Sequence, residues 1–282
     1  MSIVFLNGEF VEENEAKVSI NDAGYYYGDG VYEVVLVYDR KLIDCDLHLE
    51  RLMNCFQKVF FKNCPTKEEI LDKMQQLVKK NEDIDTGSIY LQFTRGNKPR
   101  THSFINDNLK PNWLMKMSSC KLNEDLSKTW HCNIVEDPRR MRCDIKMISL
   151  LPMVLSKYEN EKAGFEDIIF YNSRVKSITE GSCFNVFIVD QNDKIITYPI
   201  SNEILPGCTR ARIISFLKEN NYEFEERKYS KDELLNAKEV FATGSLKVIM
   251  PVIKVEGREI GDGKVGKITK EINDIFIKYL NS

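Results

Sequence analysis

Residues 28–38 read Gly28-Asp29-Gly30-Val31-Tyr32-Glu33-Val34-Val35-Leu36-Val37-Tyr38. From Gly30 onward the run is β-branched and aromatic, the composition of a strand, and Asp39-Arg40-Lys41 turns it into Leu42-Ile43. Upstream, apolar and polar side chains alternate and turn signals separate the runs. Asn7-Gly8 suits a two-residue hairpin, because both residue types tolerate the positive φ of a type I′ turn. A β-meander is expected over the first forty residues.

Two helices follow in this reading. Between Asp46 and Lys62, Leu49, Leu52, Met53, Phe56, Val59 and Phe60 recur at three- and four-residue spacing and gather on one face. Thr66 with Glu69 three residues on forms a capping box ahead of Ile70, Leu71, Met74, Leu77 and Val78. Strand composition returns at Ile89–Thr94 and Asn112–Ser118, and the polar residues 119–128 read as a linker. The division expected is a smaller α+β domain over 1–120 and a larger domain over 121–282. In the second half, strands are expected at 132–136, 167–171, 184–189, 194–197, 239–243 and 249–255. Helices are expected at 153–163, stopped by Gly164, at 209–220 and at 265–280.

Composition excludes several classes. Forty Lys and Arg against 43 Asp and Glu, mixed along the chain, leave no basic stripe for a nucleic acid. Eight scattered cysteines without a CxxC pair, and no basic-apolar leader, point to a reduced cytoplasmic protein. No pair of the three histidines has metal-ligand spacing. The longest uncharged apolar run, Met147 to Ser156, is far shorter than the ~20 residues of a membrane helix.

Four places could carry chemistry, and each has an ordinary reading beside the functional one. Lys146, in Arg142-Cys143-Asp144-Ile145-Lys146, precedes that uncharged run; a lysine losing its hydration becomes a nucleophilic amine, or else merely buries its stem and extends its head to water. Glu180, in Thr179-Glu180-Gly181-Ser182, stands at what reads as a polar break between strands, where an acid is usually solvated. Leu205-Pro206-Gly207-Cys208-Thr209 enters a helix whose start suits a phosphate, or is an ordinary start capped by Thr209. Arg100 and His102, in Thr94-Arg95-Gly96-Asn97-Lys98-Pro99-Arg100-Thr101-His102, would point to one side of an extended loop and bind a carboxylate, or form a solvated basic loop.

Taken in order, these segments, together with the strand at 28–35 and His48-Leu49-Glu50-Arg51-Leu52, resemble the class IV pyridoxal-phosphate aminotransferases, and within them the bacterial D-amino acid transaminases. The likeness runs from Asn7-Gly8 to Gly263-Lys264-Val265-Gly266, nearly the whole chain. It implies the fold type IV architecture, an α+β N-terminal domain and a C-terminal pseudo-barrel with pyridoxal 5′-phosphate held between them. Lys146 would then form the Schiff base and shuttle the α-proton. Glu180 would pair with the ring nitrogen. Arg51, the Gly207-Cys208-Thr209 backbone and Ser245 would hold the phosphate. Tyr32, with Arg100 and His102 of the neighbouring subunit, would take the substrate carboxylate, which makes the protein a homodimer. The implied reaction is D-alanine plus 2-oxoglutarate to pyruvate plus D-glutamate. Aminodeoxychorismate lyases and L-branched-chain aminotransferases share the fold and are the rivals. Cys183 and Phe184 depart from the family's hydroxyl run, as do Leu246 and Lys247 beside Ser245.

Overall fold

The computed structural model describes residues 2–103, 108–139 and 141–282. They fall into two compact units, one of Met1–Lys121 with Ile145–Leu150, the other of Leu122–Asp144 with Leu151–Ser282.

The first unit runs β1 (Ile3–Leu6), β2 (Glu9–Glu12), α1 (Ala23–Tyr27), β3 (Gly30–Tyr38), β4 (Lys41–Leu42), α2 (Cys45–Lys58), α3 (Lys67–Lys80), β5 (Gly87–Thr94) and β6 (Asn112–Ser119). Its strands make one antiparallel sheet in the order β2-β1-β6-β5-β3-β4. Asn7 and Gly8 both take positive φ at the first hairpin, as do Asp39 and Arg40 at the β3–β4 turn. Val31, Val35 and Val37 on one face of β3 pack in a core with Leu49, Leu52 and Phe56 of α2 and Ile70, Met74 and Leu77 of α3.

Three features depart from the expectation. Helix α1 interrupts the meander: Asp22 caps it through Gly24 N (2.6 Å), while its other carboxylate oxygen accepts from Thr94 Oγ1 and Asn112 Nδ2. Helix α2 ends at Lys58, short of Lys62, because Phe60 turns left-handed and Arg95 Nη2 takes the Val59 carbonyl at 2.9 Å. The segment Ile145–Leu150, placed by the sequence with the second half, packs with the first. β4 pairs only with Val37 and Tyr38, so the N-terminal half of β3 keeps an open edge. Ile145–Leu150 fills it as a strap, with Tyr32 N donating to Lys146 O (3.0 Å), Ile148 N to Gly30 O (3.1 Å) and Ser149 Oγ to Gly28 O (2.8 Å).

The second unit comprises β7 (Trp130–Glu136), α4 (Leu151–Lys162), β8 (Asp167–Asn172), β9 (Ser177–Gly181), β10 (Asn185–Val189), β11 (Ile195–Thr197), α5 (Cys208–Glu219), β12 (Phe224–Glu226), α6 (Lys231–Leu235), β13 (Glu239–Gly244), β14 (Val248–Val255), β15 (Arg258–Glu259) and α7 (Lys267–Leu280). Its sheet follows the order β12-β11-β10-β13-β14-β7-β8-β9, and β9 returns to pair with β10. The six strands β10, β13, β14, β7, β8 and β9 thereby close on one another as a barrel, and the closing pair is Glu180 with Asn185. The pseudo-barrel is thus present, but β9 stands where the sequence reads a polar break. All five of its residues are buried. Its polar side chains are matched internally, Ser177 Oγ to the Tyr229 carbonyl and Glu180 to Arg139, so the strand needs neither apolar composition nor alternation.

α4 differs from the other long helices in burying none of its residues. Leu151, Val154, Leu155 and Tyr158, spaced three and four apart, form an exposed apolar stripe. The uncharged run 147–156 is therefore partly strap and partly this open face, rather than an apolar interior. Among the described residues no helix is long and apolar enough to cross a membrane.

The capping box at α3 is formed in both directions, Glu69 N to Thr66 Oγ1 and Thr66 N to the Glu69 carboxylate. Thr66→Ala should cost about 1 kcal/mol, read as a lowered urea midpoint with an unchanged far-UV spectrum.

Candidate active site

In the first unit the strap sets Lys146 beside β3. Its Nζ lies 4.1 Å from the centroid of the Tyr32 ring, and its backbone N–H donates to Cys55 Sγ of α2 at 3.5 Å. Lys146 is only half-buried, so its place on the strap, rather than desolvation, singles it out.

Behind Tyr32, on the opposite face of β3, Glu33 is fully buried among valines. Residues 48 and 51 share one face of α2, and both reach it. Arg51 Nε and Nη2 each donate at 2.7 Å to the two Glu33 oxygens, and His48 Nδ1 lies 2.7 Å from Oε2. Burial alone would raise the Glu33 carboxyl, but Arg51, by charge and hydrogen bonds, and His48 outweigh it and hold it well below the usual carboxylate range. Burial pushes His48 down from its ordinary value against the pull of Glu33, which favours the neutral ring with its Nδ1–H donated to the carboxylate. The bidentate grip fixes the plane of the Arg51 guanidinium.

Arg100 and His102 lie exposed on the loop after β5. The structure brings them to one support: the Tyr27 ring sits 5.6 Å from the Arg100 guanidinium and 5.6 Å from the His102 ring. Tyr27, on the unexpected α1, is absent from the sequence reading.

In the second unit Glu180 lies at the barrel seam. Its Oε1 accepts from Arg139 Nη1 at 2.5 Å, and its Oε2 from Asn185 Nδ2 (3.1 Å) and Leu205 N (3.0 Å). Arg139 is held in turn by both oxygens of Asp137 and lies over the Phe170 ring. Burial raises the Glu180 carboxyl above its ordinary value, with Arg139 and the Leu205 N–H pulling back, while the two acids hold Arg139 firmly charged. Asn185 Nδ2 also donates to the Leu205 carbonyl. A Cβ on residue 207 would come within 2.0 Å of Asn185 Oδ1, so only glycine lets the turn approach this closely. Gly207, not Thr209, is the cap of α5, and having no side chain it makes no cap bond of its own to the helix's first turn. Thr243, paired with Asn185 across the ladder, has a buried hydroxyl with no hydrogen-bond partner, and Ser245 follows at the β13–β14 turn.

A primary amine over an aromatic ring, a buried carboxylate, and a glycine-capped helix start together with a buried hydroxyl that has no partner suit, respectively, an aldehyde, a ring nitrogen and a phosphate. Glu33, His48, Arg139 and Asn185 were missed in the sequence. Only the i, i+3 spacing of His48 and Arg51 hinted at a shared target. Of the departures, Phe184 is a core residue against Trp130, with ring centroids 5.1 Å apart, and Lys247 reaches over that same ring.

The family model for amino-transferase class IV matches residues 30–255. A D-alanine aminotransferase of Staphylococcus haemolyticus is 38% identical over 283 aligned positions, covering 100% of this chain and 99% of the relative. One from Bacillus licheniformis is 36% identical over 271 positions, 95% of this chain and 94% of the relative. Among solved structures, the branched-chain amino acid aminotransferase of Escherichia coli superposes with a TM-score of 0.91 at 23% identity, covering 99% of this chain and 94% of that one. Another branched-chain amino acid aminotransferase, complexed with N-(5′-phosphopyridoxyl)-L-glutamate, also gives 0.91, at 22% identity and the same coverage. At those identities the likeness is one of fold.

Arg139 supplies the countercharge of the buried Glu180 carboxyl. With Arg139→Met the buried carboxyl loses its countercharge, and its folded pKa rises further above the unfolded value. The folded state then binds the extra proton, so stability should fall as pH rises from about 4.3, reaching a deficit of about 3–5 kcal/mol near neutrality. Melting temperature against pH reads this; in Arg139→Met/Glu180→Gln the slope should shrink.

Proposed function

The chain belongs to the class IV aminotransferases, and we propose that it moves the amino group of a D-amino acid, D-alanine above all, to a 2-oxo acid such as 2-oxoglutarate, giving pyruvate and D-glutamate. The observation that carries this reading is Lys146 Nζ over the Tyr32 ring on a strap hydrogen-bonded to β3. Full-length relatives named D-alanine aminotransferases support the choice of substrate. The cofactor is pyridoxal phosphate, which when bound supplies the carbonyl that takes the amine and the ring that accepts the electron pair of the α-carbon.

The chain's own residues divide the remaining work. Lys146 anchors the cofactor and, through Nζ, holds and moves the α-proton. Glu180, with Arg139 beside it, keeps a proton on the ring nitrogen. Arg51, oriented by Glu33, joins the Cys208 and Thr209 N–H groups and the Ser245 hydroxyl in holding the phosphate, with Gly207 allowing the close approach. Tyr32, Arg100 and His102 take the substrate α-carboxylate, and the last two come from the partner subunit of a cytoplasmic homodimer. The exposed stripe of α4 supports a second copy docking there, since a contiguous apolar face is costly to leave in water.

Purified holoenzyme with D-alanine and 2-oxoglutarate should release pyruvate and D-glutamate, L-alanine should not substitute, and Lys146→Ala should abolish both turnover and an absorbance band near the visible edge. Equal rates with the two enantiomers, or pyruvate formed solely from aminodeoxychorismate, would sink the proposal. Mixing inactive Arg100→Ala and Lys146→Ala subunits should restore part of the activity through hybrid dimers. No recovery despite demonstrated subunit exchange would mean that each subunit carries its own trap.

A further inference from the structure

The loop bearing Arg100 and His102 is anchored closely at its start. Arg95 N donates to Asp29 O, Ala23 N to Gly96 O and Lys98 N to Asn21 O, at 3.1, 3.0 and 3.0 Å. Asn97 bridges to Asp22 and accepts from Asn112 Nδ2. After Lys98 the chain leaves this framework, and residues 99–103 are exposed. Lys98 itself runs the other way: it is 7% exposed, and its Nζ donates to the Ser103 carbonyl at 2.6 Å. The buried lysine therefore closes the segment 98–103 with a short charge-assisted hydrogen bond. Within the closed segment lie both trap residues, facing the Tyr27 ring.

Burying an ammonium is costly, and a loop needing only to be tethered could use a neutral side chain. We infer that Lys98 is a positioning residue for substrate binding: by pinning Ser103 it pre-forms the carboxylate trap made by Arg100 and His102. The inference rests on the proposed transaminase reading. Without the tether, residues 99–102 regain backbone freedom that each substrate must remove on binding. Donor and acceptor are both held by their α-carboxylates, so both half-reactions are affected. Carboxylate binding is made in ground and transition states alike, so the loss appears in KM and leaves kcat.

The test compares wild-type, Lys98→Met and Lys98→Arg holoenzymes. KM for D-alanine and for 2-oxoglutarate should rise together, about tenfold or more in Lys98→Met, as for a lost hydrogen bond to a charged group, with kcat within about twofold. The inhibition constant of propionate, a carboxylate without the amine, should rise by a similar factor. Lys98→Arg, which keeps a long cationic donor, should recover much of the loss. The cofactor absorbance band should be unchanged in all three. If Lys98→Met shows no melting transition, Lys98→Gln, which lacks the charge and the reach, is read by the same criteria. A folded variant whose KM values and propionate inhibition stay within twofold of wild type overturns the inference, as does a loss confined to kcat. A wild type inactive on D-alanine overturns the transaminase reading instead.

Discussion

A carboxylate shut away from water must be met by donors at every oxygen, and each unit is arranged around one such group. In the first unit Glu33 occupies a core position of β3 between Val31 and Val35, where an unpaired charge would be prohibitive. α2 answers with Arg51 and His48 on the same face that buries Leu49 and Leu52. The helix can dock on the sheet only where apolar packing and ion pairing are satisfied together. The same pairing sets the guanidinium proposed to meet a phosphate.

In the second unit Glu180 sits where the barrel closes. Its pairing with Asn185 joins β9 to β10, and its side chain gathers Arg139, the Asn185 amide and the Leu205 N–H. The barrel seam, the acid and the turn leading to the α5 N-terminus are thus parts of one hydrogen-bonded arrangement. A change at Asn185 would disturb the acid and the approach of Gly207 at once.

Lys146 and the residues proposed to take the substrate carboxylate are held differently. Lys146 is positioned by backbone bonds that complete an open strand edge, which are indifferent to side-chain identity and leave the half-buried residue with Nζ over Tyr32. Arg100 and His102 sit on an exposed loop segment whose start is bound by backbone and whose Ser103 carbonyl is reached by a lysine side chain. Rigid placement suits the role proposed for Lys146, meeting a fixed cofactor. A tethered loop suits the role proposed for Arg100 and His102, admitting and releasing substrate.

Local chemistry was enough to read much of the chain. Composition marked β3 and periodicity α2, α3 and α7, the Asn7-Gly8 hairpin followed from φ preference, and Thr66 with Glu69 announced the start of α3. The resemblance supplied Lys146, Glu180, Arg51, Tyr32, Arg100 and His102 by their motifs. Tertiary structure decided what local pattern does not encode: β9 is a buried strand because its polar atoms find partners far along the chain. Glu33 joins Arg51 across 18 residues, Arg139 joins Glu180 across 41, and the strap at 145–150 belongs with β3. Turns and amphipathic faces are set by neighbours within a few residues, whereas charge pairing and sheet closure depend on which distant segments meet, and only the folded chain brings them together.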